Sequence, residues 1–192
     1  MYLARPVAVN ETWLGGGVVE AMLRGPEGSR ALRKGEAGCS TSSAVRDMSS
    51  ALWSAVSMAL SADGGLVASA SWDGRVGLWD AASGQRLAIL QGHTGMVSTV
   101  ALSADEHLVA SGSVDGKARL WETGTGQPAG TLQGHTGVVY GVRLSGDGRL
   151  VASCGADGTV RMWDTGRGDL LATLDGHAGA VSCVAVNGIA GW

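Results

Sequence analysis

Four histidines, three cysteines and a recurring set of aspartates are the residues of this 192-residue chain that could ligate a metal or move protons. A metal site needs several of them within reach of one another. His93, His135 and His177 instead lie one per 42 residues with no His or Cys partner at ligand spacing, and His107 falls in an expected turn. Nucleophilic catalysis would call for a Gly-x-Ser-x-Gly elbow or a Cys poised beside a His, and neither pattern occurs. Gly25 to Gly35 carries glycines and basic residues, yet lacks the Gly-x-x-x-x-Gly-Lys-Ser/Thr of a phosphate-binding loop. Asp73, Asp115 and Asp157 could act as general acids or bases, but each precedes a glycine in the same repeated turn, and the turn accounts for them. No catalytic residue, metal ligand or cofactor site is therefore expected.

The spacing that argues against chemistry argues for architecture. Gly92-His93, Gly134-His135 and Gly176-His177 are 42 residues apart, as are Trp79-Asp80, Trp121-Glu122 and Trp163-Asp164, and the pairs Asp73-Gly74, Asp115-Gly116 and Asp157-Gly158. Residues 92–133 and 134–175 are identical at 22 of 42 positions, so they are copies of one unit. Residues 50–91 follow the same pattern with Ser50-Ala51 in place of Gly-His, and 176–192 begin a further copy. Within a unit the apolar residues alternate in four short runs separated by turn residues, which predicts four strands per unit over 55–90, 97–132 and 139–174. A single four-stranded sheet cannot bury both faces, so the units must stack.

A Gly-His, a Trp-Asp and four strands in a unit of this length resemble the WD40 family of β-propellers. The resemblance implies an all-β fold, a partial and open WD40 β-propeller arc of four-stranded antiparallel blades preceded by a non-repeat segment, 1–49. It also implies a buried chain of hydrogen bonds from Trp through Ser and His to Asp in each blade: Trp121, Ser111, His93 and Asp115 in the second, Trp163, Ser153, His135 and Asp157 in the third. In the first blade Trp79, Ser69 and Asp73 remain and Ala51 supplies no imidazole, which predicts the least stable blade. His177 opens the same network in the partial unit. The family's Phe-Ser-Pro-Asp-Gly is replaced by Leu60-Ser61-Ala62-Asp63 and its two equivalents, a change expected to keep the core contact and loosen the turn.

Propellers of this kind dock partners on the face bearing the loop before the first strand and the turn between the second and third. By register that face carries Ser54, Val56 and Trp72, then Met96, Ser98 and Val114, then Val138, Tyr140 and Ala156, then Ala180 and Ser182. Trp, Tyr and Met are residue types enriched at interface centres, so the expected function is a non-catalytic protein-interaction scaffold, with packing between blades as the alternative reading of Met96 and Val138. The alternative function is an accessory or catalytic domain of an enzyme with its site at the propeller axis.

A net charge of −3 gives no electrostatic call to nucleic acid or anionic lipid, and no apolar run approaches the ~18 residues of a membrane span. The expected partner is another protein or further blades of the same propeller, with self-association through open blade edges. Cys39, Cys154 and Cys183 are odd in number and far apart, which fits reduced thiols in a cytoplasm, and Asn10-Glu11-Thr12 is then an idle sequon. Residues 1–49 read as loop-rich, with Val18 to Leu23 a short strand or helix, and Val45, Met48, Leu52, Val56 and Leu60 trace a helical stripe that competes with the repeat. Three units cannot close a ring of about four to eight blades, so the chain is expected to be a piece of a longer propeller.

Overall fold

The computed structural model describes residues 55–186 and the backbone of two earlier strands, β1 (Met22–Gly25) and β2 (Gly28–Ala31), which pair as an antiparallel hairpin. β1 takes in the last two residues of the segment expected as strand or helix. Val45, Met48, Leu52, Ser54 and the Ser50-Ala51 pair lie outside the described residues.

Each repeat unit folds as one blade. The first contains β3 (Ala55–Leu60), β4 (Leu66–Ser71), β5 (Arg75–Asp80) and β6 (Arg86–Gln91). The second contains β7 (Val97–Leu102), β8 (Leu108–Ser113), β9 (Lys117–Glu122) and β10 (Pro128–Gln133). The third contains β11 (Val139–Leu144), β12 (Leu150–Gly155), β13 (Val160–Asp164) and β14 (Leu170–Leu174). In every blade the strands pair antiparallel in sequence order, and no helix occurs among the described residues. Val56 and Leu60 are strand, so the repeat prevails over the helical stripe.

Stacking supplies the core. Ala68, Ala70, Val76, Leu78 and Leu90 of the first blade pack against Val97, Val100, Val109 and Trp121 of the second. One period later Ala110, Ala118, Leu120 and Leu132 meet Val139, Val142, Val151 and Trp163. Burying a Leu or Val side chain stabilises by roughly 1.5–3 kcal/mol, so each seam is a substantial share of the fold's stability. Leu90 and Leu132 are each 1 % exposed, whereas their counterpart Leu174 is 53 % exposed. The far face of the third blade is thus open, and the three sheets do not close on one another.

Two expectations need correction. The first turn of each blade is not loosened by the missing proline. The Ser61, Ser103 and Ser145 hydroxyls donate to Asp63, Asp105 and Asp147 at 2.8, 2.6 and 2.6 Å, and each accepts the N–H of the leucine that opens the next strand. The opening strand expected over 181–186 is also not formed. A first strand is held by pairing with the second strand of its own blade, and the described residues contain none beyond 174. The segment nonetheless lies along the third blade, with the Val181 N–H bonded to the Gly155 carbonyl at 3.0 Å.

Candidate functional site

The Asp-Gly turns between the second and third strands of each blade locate the site. In the first, Gly74 has φ +84°, a left-handed conformation that L side chains rarely adopt. A Cβ there would also sit 3.1 Å from the Gly95 carbonyl and 3.4 Å from that of His93, so the turn is pressed against the loop that enters the next blade. Gly116 meets Gly137 and His135 in the same manner, and Gly158 meets His177 and Gly179. The turn and the following Gly-His loop therefore form one continuous edge across the blades.

Beneath that edge, in the second blade, Trp121 Nε1–H donates to Ser111 Oγ at 2.8 Å, Ser111 Oγ lies 2.9 Å from His93 Nε2, and His93 Nδ1 lies 3.0 Å from Asp115 Oδ2. The third blade repeats this with Trp163, Ser153, His135 and Asp157 at 2.8, 2.8 and 2.8 Å. One protonation pattern satisfies every group: a neutral imidazole that donates from Nδ1 to the carboxylate and accepts the serine O–H at Nε2. Burial drives both histidine pKa values down, outweighing the pull of the adjacent carboxylates. Burial alone would raise the aspartates. Bonds from the Thr94 N–H and His93 to Asp115, and from His135, the Thr136 N–H and Thr159 to Asp157, reverse that, lowering Asp115 and carrying Asp157 to about 2.

The first blade keeps only half of the chain. Trp79 donates to Ser69 at 2.8 Å, but the Asp73 carboxylate is 53 % exposed and among the described residues reaches the Arg75 N–H at 3.0 Å and the Arg75 guanidinium at 3.9 Å. His177 belongs to no such network: its ring is exposed, although its carbonyl packs on Gly158. The histidines and aspartates of the second and third blades are thus engaged with each other, and no group of three or more potential metal-ligating side chains occurs among the described residues.

On the outer surface of the same edge, Trp72 is 66 %, Val114 37 % and Tyr140 40 % exposed, and Ala156 and Ser182 are exposed as well. Val56, Ser98 and Tyr140 each occupy a break in register at the start of a first strand, between Ala55 and Ser57, Val97 and Thr99, and Val139 and Gly141. Such a bulge re-aims one side chain off the sheet, a feature invisible in a simple alternation. Met96 and Val138 are half-buried. Ser98 faces a neighbour rather than solvent, its hydroxyl bonding the Gly112 carbonyl at 3.1 Å and the Val139 carbonyl of the third blade. Ser113, which sequence reasoning missed, is fully buried and ties the Gly95 and Met96 carbonyls at 3.2 and 2.8 Å. The small polar residue before the Asp-Gly turn, Ser71 in the first blade, was the available signal.

The WD40 family model, described as WD domain, G-beta repeat, matches residues 41–80, 84–122 and 126–164, more than half of the chain. Each match ends on the Trp-Asp or Trp-Glu pair. The second and third therefore take the outer strand of one blade with three strands of the next, out of phase with the folded sheets. Among solved structures the chain is similar to that of U3-55K, at 26 % identity and TM-score 0.65 over 68 % of this chain and 42 % of that one. It is also similar to the crystal structure of the RRP9 WD40 repeats, at 27 % identity and TM-score 0.65 over 68 % and 41 %. The chain spans about two-fifths of the length of these chains. No curated protein matches it.

Proposed function

Because the chain belongs to the WD40 repeat family, we propose that it is a non-catalytic scaffold that docks a protein partner on the edge carrying Trp72, Val114 and Tyr140. The observation that carries this reading is a row of exposed apolar side chains beside turns pressed against the next blade's entry loop, above a bonded His–Asp layer in the second and third blades. Trp72 stands 66 % exposed beside a turn whose glycine is locked against the next blade. An aromatic anchor held on a fixed backbone gives contact area at little entropic cost, the pattern of an interface hot spot. Engagement of the buried His and Asp side chains with one another leaves them unavailable for proton transfer to a substrate, which favours binding over catalysis. The open face of the third blade, with Leu174 exposed where Leu90 and Leu132 are covered, supports completion of the arc by further blade-like surface.

The test is Trp72→Ala in the intact chain. Partner affinity is expected to fall by about 2 kcal/mol or more, read by calorimetry on whatever protein the wild type retains, while the melting temperature stays within a few degrees. A sharp drop in melting temperature with undiminished affinity would make Trp72 a packing residue and move the docking face elsewhere.

A further inference from the structure

Three departures from the repeat meet at one point of the third blade. Where the first two blades carry Ser57 and Thr99, the third has Gly141; where they carry Ala70 and Gly112, it has Cys154; and one period beyond Gly141 stands Cys183. A Cβ added to Gly141 would lie 2.8 Å from Cys154 Sγ and 3.6 Å from the Cα of Cys183. The glycine leaves the space that the Cys154 sulfur occupies, and both cysteines border it. The Cys154 Sγ is therefore no farther from the Cys183 Cα than those two distances together, so the two cysteines border one small space that a disulfide would span. Both thiols are free, Cys154 buried and Cys183 exposed. The segment that carries Cys183 is already seated by the Val181 bond to Gly155 and by the contact of Gly158 with the His177 and Gly179 carbonyls.

We infer that Cys154 and Cys183 are a modification site at which a low-molecular-weight disulfide such as oxidised glutathione installs an intramolecular disulfide, clasping residues 175–186 to the third blade. The exposed Cys183 thiolate attacks one sulfur of the reagent, forming a mixed disulfide and expelling one small thiolate. Cys154 then gives its proton to solvent and attacks Cys183 Sγ, expelling the second small thiolate. Two protein thiols are oxidised and one reagent disulfide is reduced to two thiols. Burial, with a contribution from Cys183, pushes the Cys154 thiol up to about 11, so Cys183 reacts first and Cys154 resolves. The product is uncharged, so burial does not oppose it.

The experiment uses the full chain carrying Cys39→Ser, incubated with oxidised glutathione under native conditions, alkylated, and digested without reduction for mass spectrometry. A cross-linked peptide pair joining Cys154 to Cys183 is expected. It should be absent from Cys183→Ser and from Cys154→Ala, the latter placing at 154 the residue that Ala70 provides in the first blade. The melting temperature of the oxidised chain should rise by at least about 4 °C, return on reduction, and stay unmoved in Cys183→Ser. A chain of unchanged circular dichroism that holds Cys183 as a stable glutathione adduct with Cys154 still alkylatable would overturn the inference. So would a cross-link formed only between two chains, or a cross-link that leaves the melting temperature unchanged.

Discussion

The first and second blades share strand lengths, turns and the Trp–Ser bond, and differ in what happens to one carboxylate. Asp115 is drawn under the edge, its side chain 5 % exposed, where His93 and two backbone N–H groups receive it. Asp73, in the same turn, stays at the surface beside Arg75. An ionised carboxylate pays heavily to leave water without a partner, so the imidazole decides where the aspartate goes. The turn itself does not depend on it: Gly74 and Gly116 adopt φ of +84° and +77°, and both press on the next Gly-His loop. The histidine thus acts as a lock added to a blade that can form without it, and the first blade, which lacks it, is expected to be the less stable.

The strongest way to break this comparison is His135→Ala. It leaves Asp157 charged and Ser153 short of a partner in a buried site, and is expected to cost about 3 kcal/mol or more in urea unfolding, with His93→Ala similar. A loss below about 1 kcal/mol would mean that water replaces the imidazole freely and that the lock contributes little.

Acid should open the same lock. The folded histidines titrate below their ordinary 6.5, so the stability tied to their neutral form is complete above 6.5 and is lost as pH falls toward their lowered values. Asp157, at about 2 against 3.8, adds a second loss from near 3.8 downward. Each histidine that stays neutral in the fold contributes at most about 1.4 kcal/mol per pH unit. Chemical denaturation between pH 7 and 5 should therefore show stability falling with pH, and the double variant His93→Gln, His135→Gln should flatten that window. An unchanged slope in the variant would locate the titration elsewhere.

Strand positions were readable because Asp-Gly, Ser-x-Asp and Trp-Asp punctuate the chain at a fixed period, leaving each apolar run only one place to pair. The network of Trp121, Ser111, His93 and Asp115 was legible only through the resemblance to the WD40 family, carried onto that register. The bulges that carry Val56, Ser98 and Tyr140 do not follow from it, since an extra residue in one strand leaves no trace in an alternation read over five or six positions. Nor does the bonding role of half-buried Ser98 and buried Ser113, whose partners are backbone carbonyls without side-chain identity. The failed strand at 181–186 shows the limit of a repeat as evidence: its residues match the pattern, but a strand requires a partner and not merely a pattern.

A second contrast between the two seams is smaller. Gly64 and Gly148 adopt φ of +78° and +70° in the first turn of their blades, and Glu106 is forced to +63° at the same register. Its carboxyl also borders Asp63 across the seam between the first and second blades. A bond from Ser61 pulls it down, but burial and Asp63 together hold it above the ordinary glutamate range. Across the next seam Gly148 meets Asp105 without a second carboxyl. Glu106→Gly should relieve both strains and stabilise by about 0.5–1 kcal/mol in thermal melts at neutral pH. A destabilisation would show that the Ser61–Asp63–Glu106 cluster ties the blades together.

The smallest expected effect is the most direct check on the opening contrast. Asp73→Ala removes an exposed carboxylate whose contacts among the described residues are the Arg75 N–H at 3.0 Å and a screened guanidinium at 3.9 Å, and it leaves the Gly74 turn conformation in place. Such a change is expected to cost about 0.5 kcal/mol, while Asp115→Ala, which strips His93 and the Thr94 N–H of their acceptor, should cost several times more. Restoring the missing imidazole sharpens the point, because by repeat register Ala51→His is the substitution expected to offer Asp73 the partner that its equivalents have. In that background Asp73→Ala should become costly. If it does, the difference between the blades is carried by one side chain; if Asp73→Ala is already as costly as Asp115→Ala in the native sequence, the carboxylate is buried in solution and the contrast fails.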